Sequence, residues 1–238
     1  MSGHNKWSKI KRQKGAADAK RGAIFTKLIK AITAAARDGG GDVDSNPALR
    51  LAVAKGREAS MPLDNIQRAI DKATGNLPGV IFENITYEGY GPGGVALLIE
   101  AMTDNRNRTV ATIRLALSKG GGSLGESGCV GWMFEKKGII TIERGELDSA
   151  VLEVAIENSA IEIIDEYEEV IIVETKASEF NQMLEAIERL NVNIIESSIE
   201  MVASNEIELD SEATEKIDAL VERLEEDDDI QSVYTNVK

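Results

Sequence analysis

Lys6, Lys9, Lys11, Arg12, Lys14, Lys20, Arg21, Lys27 and Lys30 crowd the first 30 residues against one acid, Asp18, and Trp7 stands among them. Together these side chains suit one kind of chemistry. Ammonium and guanidinium groups neutralise successive phosphates of an extended polyanion, and an exposed indole stacks on an unpaired base. A basic chain end also reads as a solubilising tail, and Trp7 is what favours a nucleic-acid site. A second candidate site is Thr103-Asp104-Asn105-Arg106-Asn107-Arg108-Thr109, where a strand passes into a helix. Arg106 and Arg108 with the helix-start amides would make a phosphate site. The competing reading is a helix N-terminus capped by Asp104 or Asn105, with the arginines incidental.

The inventory for catalysis is poor. His4 is the only histidine and lies in the basic arm, where no packed neighbour orients it as a general base. One His and one Cys, Cys129, cannot build the usual zinc sites, and the acids of Glu225 to Asp229 lack the spacing of a calcium loop. Gly89, Gly91 and Gly94 formally satisfy G-x-G-x-x-G, but a strand and not a helix follows, which excludes a dinucleotide site. We expect no catalytic residues, no metal and no cofactor, hence a binding protein and not an enzyme. A metal-dependent nuclease working through carboxylates alone is the distant alternative.

The 238 residues allow two or three compact units, and 42% apolar with 29% charged residues is an ordinary globular composition. The longest apolar run, around Val95 to Ile99, is strand-sized, and the N-terminus lacks a secretory apolar core, so no membrane contact is expected. A single cysteine fits a reducing cytoplasm. The formal net charge of −14 conceals a segregation. Residues 1–75 hold 15 Lys/Arg against 7 Asp/Glu, residues 76–140 hold 6 of each, and residues 141–238 hold 6 against 28. Nucleic-acid affinity is therefore to be judged unit by unit.

The elements follow from periodicity. Residues 1–22 have only Trp7 and Ile10 as large apolar side chains, too few to order a backbone, and predict a flexible basic arm. Residues 23–76 predict three short helices. Ile24, Phe25, Leu28, Ile29 and Ile32 mark the first, Ser45 or Asn46 with Pro47 opens the second, and Leu63, Ile66 and Ile70 face inward on the third. Arg37, Arg50, Lys55, Arg57, Arg68 and Lys72 are its surface cations. From residue 80 the period changes to that of strands. ITYEGY and VALLIEAM form a hairpin across Gly91 to Gly94, then a helix runs from Arg106 to Lys119 burying Val110, Ile113 and Leu117, and a strand lies around Val130 to Phe134. Residues 138–203 read β-α-β-β-α-β, the ferredoxin-like split pattern. A strand or linker at Ile207 to Leu209, a helix through Ile217 to Leu224 and a strand at Ile230 to Thr235 close the chain. An isolated terminal helix and strand cannot bury both faces, so residues 205–238 are expected to rejoin 80–135. The expected fold is α+β and multidomain: a basic three-helix domain plus two ferredoxin-like α+β domains, the third inserted into the second.

Four blocks carry a resemblance: MSGHNKWSKIKRQKGAADAKRGAIFTKLIKAI, SNPALRLAVAKGREASMPLDNIQRAI, YEGYGPGGVALLIEAMTDNRNRT and GGSLGESGCVGWMF. They resemble the YebC family, whose mitochondrial relative is a translational activator of cytochrome c oxidase. The resemblance spans essentially the whole chain. It implies a three-domain protein that is described as a transcriptional regulator and, for some members, as a translation factor acting on the ribosome.

Two readings follow. The first is a cytoplasmic, ribosome-associated RNA-binding translation factor, with ribosomal RNA as the partner. The second is a DNA-binding transcriptional regulator. Gly-rich or Pro-containing turns punctuate the helices, and no helix combines Arg, Asn and Gln on one face as a helix-turn-helix reader would. Separated units and a long arm suit a factor that bridges surfaces of a large assembly, which ranks RNA first. The α+β units lack the aromatic run of an RNA-recognition motif. The 28 acids read as a solubilising surface, a face for ribosomal or other proteins, or a mimic of nucleic-acid charge. A monomer is expected.

Overall fold

The computed structural model describes residues 21–75 and 82–238; the arm residues Lys6, Trp7, Lys9, Lys11, Arg12, Lys14 and Lys20 lie outside them. The chain forms two compact units, one holding 21–131 with 209–235 and the other 132–208 with 236–238. The class is α+β, with helices at the N-terminal end and two four-stranded antiparallel sheets, as the sequence leads one to expect.

Three helices open the first unit: α1 Arg21–Gly39, α2 Pro47–Glu58 and α3 Leu63–Thr74. Ile32, Ala36, Leu49, Ala52, Val53, Met61, Ile66, Ala69 and Ile70 form their core. One side chain fastens two helix ends. Asn46 Oδ1 accepts from Leu49 N at 3.1 Å, capping α2, while its Nδ2 donates to Ala35 O and Gly40 O at 2.8 Å, capping α1. A Cβ at Gly39 would lie 2.6 Å from the Asn46 amide, so glycine is what lets Asn46 reach both ends. Leu63 corrects an expectation: it is 65% exposed, because Met61 fills the core just upstream and Leu63 begins the helix beyond its edge.

The same unit continues with β1 Glu83–Tyr90 and β2 Ala96–Thr103, joined through a 3₁₀ turn at Pro92–Gly94 with Gly93 and Gly94 at positive φ. Helix α4 (Arg106–Lys119), the two-residue strand β3 (Ser123–Leu124), helix α7 (Ser211–Glu225) and strand β8 (Ile230–Thr235) complete it. The strand order is β3-β1-β2-β8, with the hairpin in the middle. Ile113, Ala116 and Leu117 of α4 and Ile217, Leu220 and Leu224 of α7 are buried in it. Val110 is only half-buried. The strand expected at Val130 to Phe134 is absent. A 3₁₀ turn at Gly131–Met133 replaces it, and Phe134 starts a strand of the other sheet. The reason is Glu88. Its buried carboxylate gathers the amides of Gly128, Val130 and Gly131 at 2.6–2.7 Å and curls the chain into a loop. Burial alone would push this carboxyl up, but those three amides hold it below its ordinary value.

The second unit holds β4 (Phe134–Glu143), α5 (Asp148–Glu157), β5 (Glu162–Ile164), β6 (Val170–Lys176), α6 (Phe180–Glu188) and β7 (Ile194–Ala203). Its order, β5-β6-β4-β7, is that of the ferredoxin-like split pattern. Ile140, Ile142, Val151, Ala155, Ile171, Val173, Phe180, Met183 and Ile187 pack between sheet and helices. Ile207 makes a single parallel bridge with Val237 and is otherwise the linker alternative.

Backbone crowding gives a test. A Cβ at Gly122 would collide with the carbonyl oxygen of Tyr90, a backbone atom that cannot step aside, whereas one at Gly145 meets nothing within 4 Å. Gly122→Ala should cost about 1–3 kcal/mol in urea unfolding. Gly145→Ala should stay within about 0.5 kcal/mol of the parent.

Candidate nucleic-acid interface

The cations of α1 that the sequence assigns to phosphate have partners inside the fold. Lys27 is half-buried and donates its ammonium to Glu225 O at 2.6 Å, at the carbonyl end of α7. Burial lowers its pKa, against the pull of Glu225, Asp228 and Asp227. One turn on, Lys30 Nζ meets Asp229 Oδ1 at 2.6 Å and Asp228 O at 2.9 Å, and lies 5.6 Å from the centre of the Phe82 ring. Arg21 begins α1.

The second candidate cluster converges on the same carboxylate. Asn105 caps α4 by accepting from Arg108 N at 3.1 Å, so of the two proposed caps it is the one used. Arg108 donates Nη2 and Nε to Asp229 Oδ2 at 2.7 and 3.2 Å, and Nη2 to Asp104 Oδ1 at 2.8 Å. Thr109 and Thr103 hydroxyls add donors to Asp229 Oδ2 at 2.8 and 3.0 Å. Arg106 pairs with Glu83 at the exposed start of β1. Arg106, Arg108 and Lys30 are thus already paired with carboxylates and Lys27 with a backbone carbonyl, and a phosphate arriving there would have to displace those partners.

Asp229 itself is almost fully buried. Burial would raise its pKa, but hydrogen bonds from Lys30, Arg108 and Thr109 outweigh that and hold it down at about 2. Its backbone joins in, with Met102 N donating to Asp229 O at 2.7 Å. A cavity of about 440 Å³ beside it is lined by Lys30, Arg108 and the four acids Glu226, Asp227, Asp228 and Asp229. Four carboxylates to two cations make this a poor phosphate receptor. It works as a clamp holding α1 to the sheet and to the α7–β8 turn. Sequence reading missed Asp229 because it is the last of three consecutive aspartates, and nothing in the run distinguishes it.

Elsewhere cations stay at the surface. Lys55, Arg57 and Lys72 are exposed and make no ion pair among the described residues, while Arg50 and Arg68 are exposed but bonded to nearby carbonyls. Trp132, which the sequence reading did not single out, is 66% exposed. Among the described residues no three His, Cys, Asp or Glu side chains are grouped to hold a metal ion, and no helix is long and apolar enough to cross a membrane.

Comparison with known proteins gives two matching family models. Residues 5–76 match the TACO1/YebC protein N-terminal domain, and residues 82–237 match the TACO1/YebC second and third domain. A Nitratiruptor protein named "probable transcriptional regulatory protein" is 57% identical over 238 residues, covering all of both chains. A Geobacter sulfurreducens protein of the same description is 50% identical over 99% of this chain and 95% of its own length. The crystal structure of a conserved hypothetical protein, Aq1575 from Aquifex aeolicus, superimposes with a TM-score of 0.83 at 42% identity, covering 93% of this chain and 92% of that one.

The clamp can be broken from either side. Asp229→Ala strands the buried Lys30 ammonium and should cost about 3–5 kcal/mol in thermal or urea unfolding. Because the folded pKa lies below the ordinary 3.8, this carboxylate stabilises the fold above that value and ceases to as pH falls through about 2. The acid limb of stability against pH should therefore be shallower in Asp229→Asn than in the parent.

Proposed function

The chain belongs to the TACO1/YebC family, and on that premise we propose that it is a nucleic-acid-binding regulator of gene expression that acts in the cytoplasm as a ribosome-associated, RNA-binding translation factor. The observation that carries this reading is the segregation of charge. Fifteen Lys/Arg against seven Asp/Glu lie in residues 1–75, in a chain of net charge −14. Lys27 and Lys30 are spent on the clamp, so the affinity rests on the arm cations Lys6, Lys9, Lys11, Arg12, Lys14, Lys20 and Arg21, with Trp7 as the stacking residue. No step of the function calls for a catalytic group.

The second reading, a DNA-binding transcriptional regulator, is favoured by the names of the relatives. Helices α2 and α3 have the lengths and the short turn of a helix-turn-helix. The outer face of α3 argues against it. Exposed Arg68 and Lys72 are offset there by Asp64 and Asp71, Gln67 donates to Asp71 Oδ1 at 2.8 Å, and Arg68 bonds Asp64 O and Asn65 Oδ1. A recognition helix needs such side chains free for base edges.

Binding to purified ribosomes and to duplex DNA at matched salt decides between the two. Deleting residues 1–20, which leaves α1 whole, should weaken ribosome binding strongly and leave thermal unfolding of the rest nearly unchanged. With about six phosphates neutralised, log affinity should fall with log salt at a slope of roughly −4 to −5 in the parent. Trp7→Ala should cost about 1–3 kcal/mol on ribosomes and almost nothing on a duplex without unstacked bases. Tight, sequence-selective duplex binding indifferent to Trp7, with no ribosome association, would transfer the conclusion to the transcriptional reading.

A further inference from the structure

Helix α4 also carries exposed cations that make no ion pair among the described residues. Its sequence, RNRTVATIRLALSK, contains no acidic residue. Burial of Thr109, Ile113, Ala116 and Leu117 fixes its orientation and turns Arg114, Leu115, Ser118 and Lys119 to solvent. The helix divides into two functional halves. Arg106 and Arg108 in its first turn are tied to Glu83, Asp104 and Asp229, which seats the helix. Arg114 and Lys119 in its second half make no ion pair among the described residues.

Successive residues of a helix turn by about 100°, so Arg114 and Lys119 fall at the two rims of the solvent arc, with Leu115 and Ser118 between them. Leu115 is 56% exposed, on the side of the helix away from its buried face. Cations at the rims and small or apolar side chains in the middle let a sugar–phosphate backbone lie along the helix. The phosphates then reach Arg114 and Lys119, and the ribose packs on Leu115.

We propose that the solvent face of α4 is a second RNA-contact surface, separate from the arm, with Arg114 and Lys119 as phosphate ligands and Leu115 as the apolar contact between them. The proposal rests on the RNA reading given above. Charge complementarity supports it: an acid-free helix face that presents Arg114 and Lys119 to solvent attracts a polyanion.

The test is ribosome binding by the full chain across a salt series, comparing the parent with Arg114→Gln/Lys119→Gln. Both positions are exposed, so thermal unfolding should not move. The double variant should bind about tenfold more weakly near physiological salt, with a log–log salt slope shallower by roughly 1.4–1.8, as the loss of two phosphate contacts requires. Leu115→Glu, which sets a carboxylate among the phosphates, should weaken binding by itself. Lys136→Gln/Lys176→Gln on the acidic unit removes the same charge from exposed positions and should change neither quantity. Parent-like affinity and slope in Arg114→Gln/Lys119→Gln, while the deletion of residues 1–20 still weakens binding, would overturn this surface and leave the RNA reading standing. An equal loss in the charge-matched control would overturn it as well. A parent protein that does not bind ribosomes at any salt would overturn both.

Discussion

The first unit depends on a charge that cannot be left alone. Asp229 is buried at the turn between α7 and β8, and a desolvated carboxylate is tolerated only when opposite charge and hydrogen bonds surround it. Lys30 comes from α1, Thr103 from the end of β2, and Arg108 and Thr109 from α4, so three elements are drawn to one pair of oxygens. Each contributor needs Asp229 in turn, Lys30 most of all, because its ammonium is itself largely shielded from water. The arrangement ties α1 to the end of β2, to α4 and to the α7–β8 turn. Arg108 is half-exposed and contributes less through charge than through geometry.

This constraint sorts the cations by role. Lys27 and Lys30 look the same in the sequence as the lysines of the arm, and Arg106 and Arg108 look the same as Arg114. Packing separates them. Those that meet a carboxylate or a helix C-terminus hold the fold, and exposed ones without an ion pair, such as Arg114, can hold a ligand. Neutralising the first kind costs stability, while neutralising the second kind changes affinity and its salt dependence, so the two classes are separable by experiment.

Much of this architecture was legible in the sequence where a local pattern was strong. Asn105 before an apolar helical stripe and Gly120 after it bound α4 at Arg106–Lys119, and the short apolar alternation of IQSVYT marks β8. The alternation of strands and helices in 138–203 led directly to the split order of the second sheet. What failed was decided by distant contacts. β3 is two residues long and exists only because it pairs with Gly89 and Tyr90. Val130 to Phe134 look like a strand, yet a carboxylate about 40 residues away in β1, Glu88, claims the amides of Val130 and Gly131. Leu63 matches the helical period and still points outward. For the candidate site, the sequence distinguished cationic from acidic regions but not which cations the fold consumes, because pairing is tertiary.

The acidic unit fits the same division. Its sheet face, the one an RNA-recognition motif would line with stacking aromatics, carries Glu162 and Glu174 side by side on adjacent strands, with Lys137 at 3.0 Å from Glu174. Glu174 is fully buried there beside Ile139, Val170 and Ile172, and Lys137 is committed to its carboxylate and is not available to a phosphate. Residues 141–238 hold 28 acids against 6 cations, so the field of this part of the chain repels a polyanion, while residues 1–75, with 15 cations against 7 acids, attract it. Repulsion of this kind need not be a defect of a nucleic-acid-binding protein. It disfavours the approach of a polyanion to the acidic part of the chain and favours its approach to the basic N-terminal part. The charge segregation therefore supplies orientation as well as affinity, and both weaken together as salt shortens the screening length.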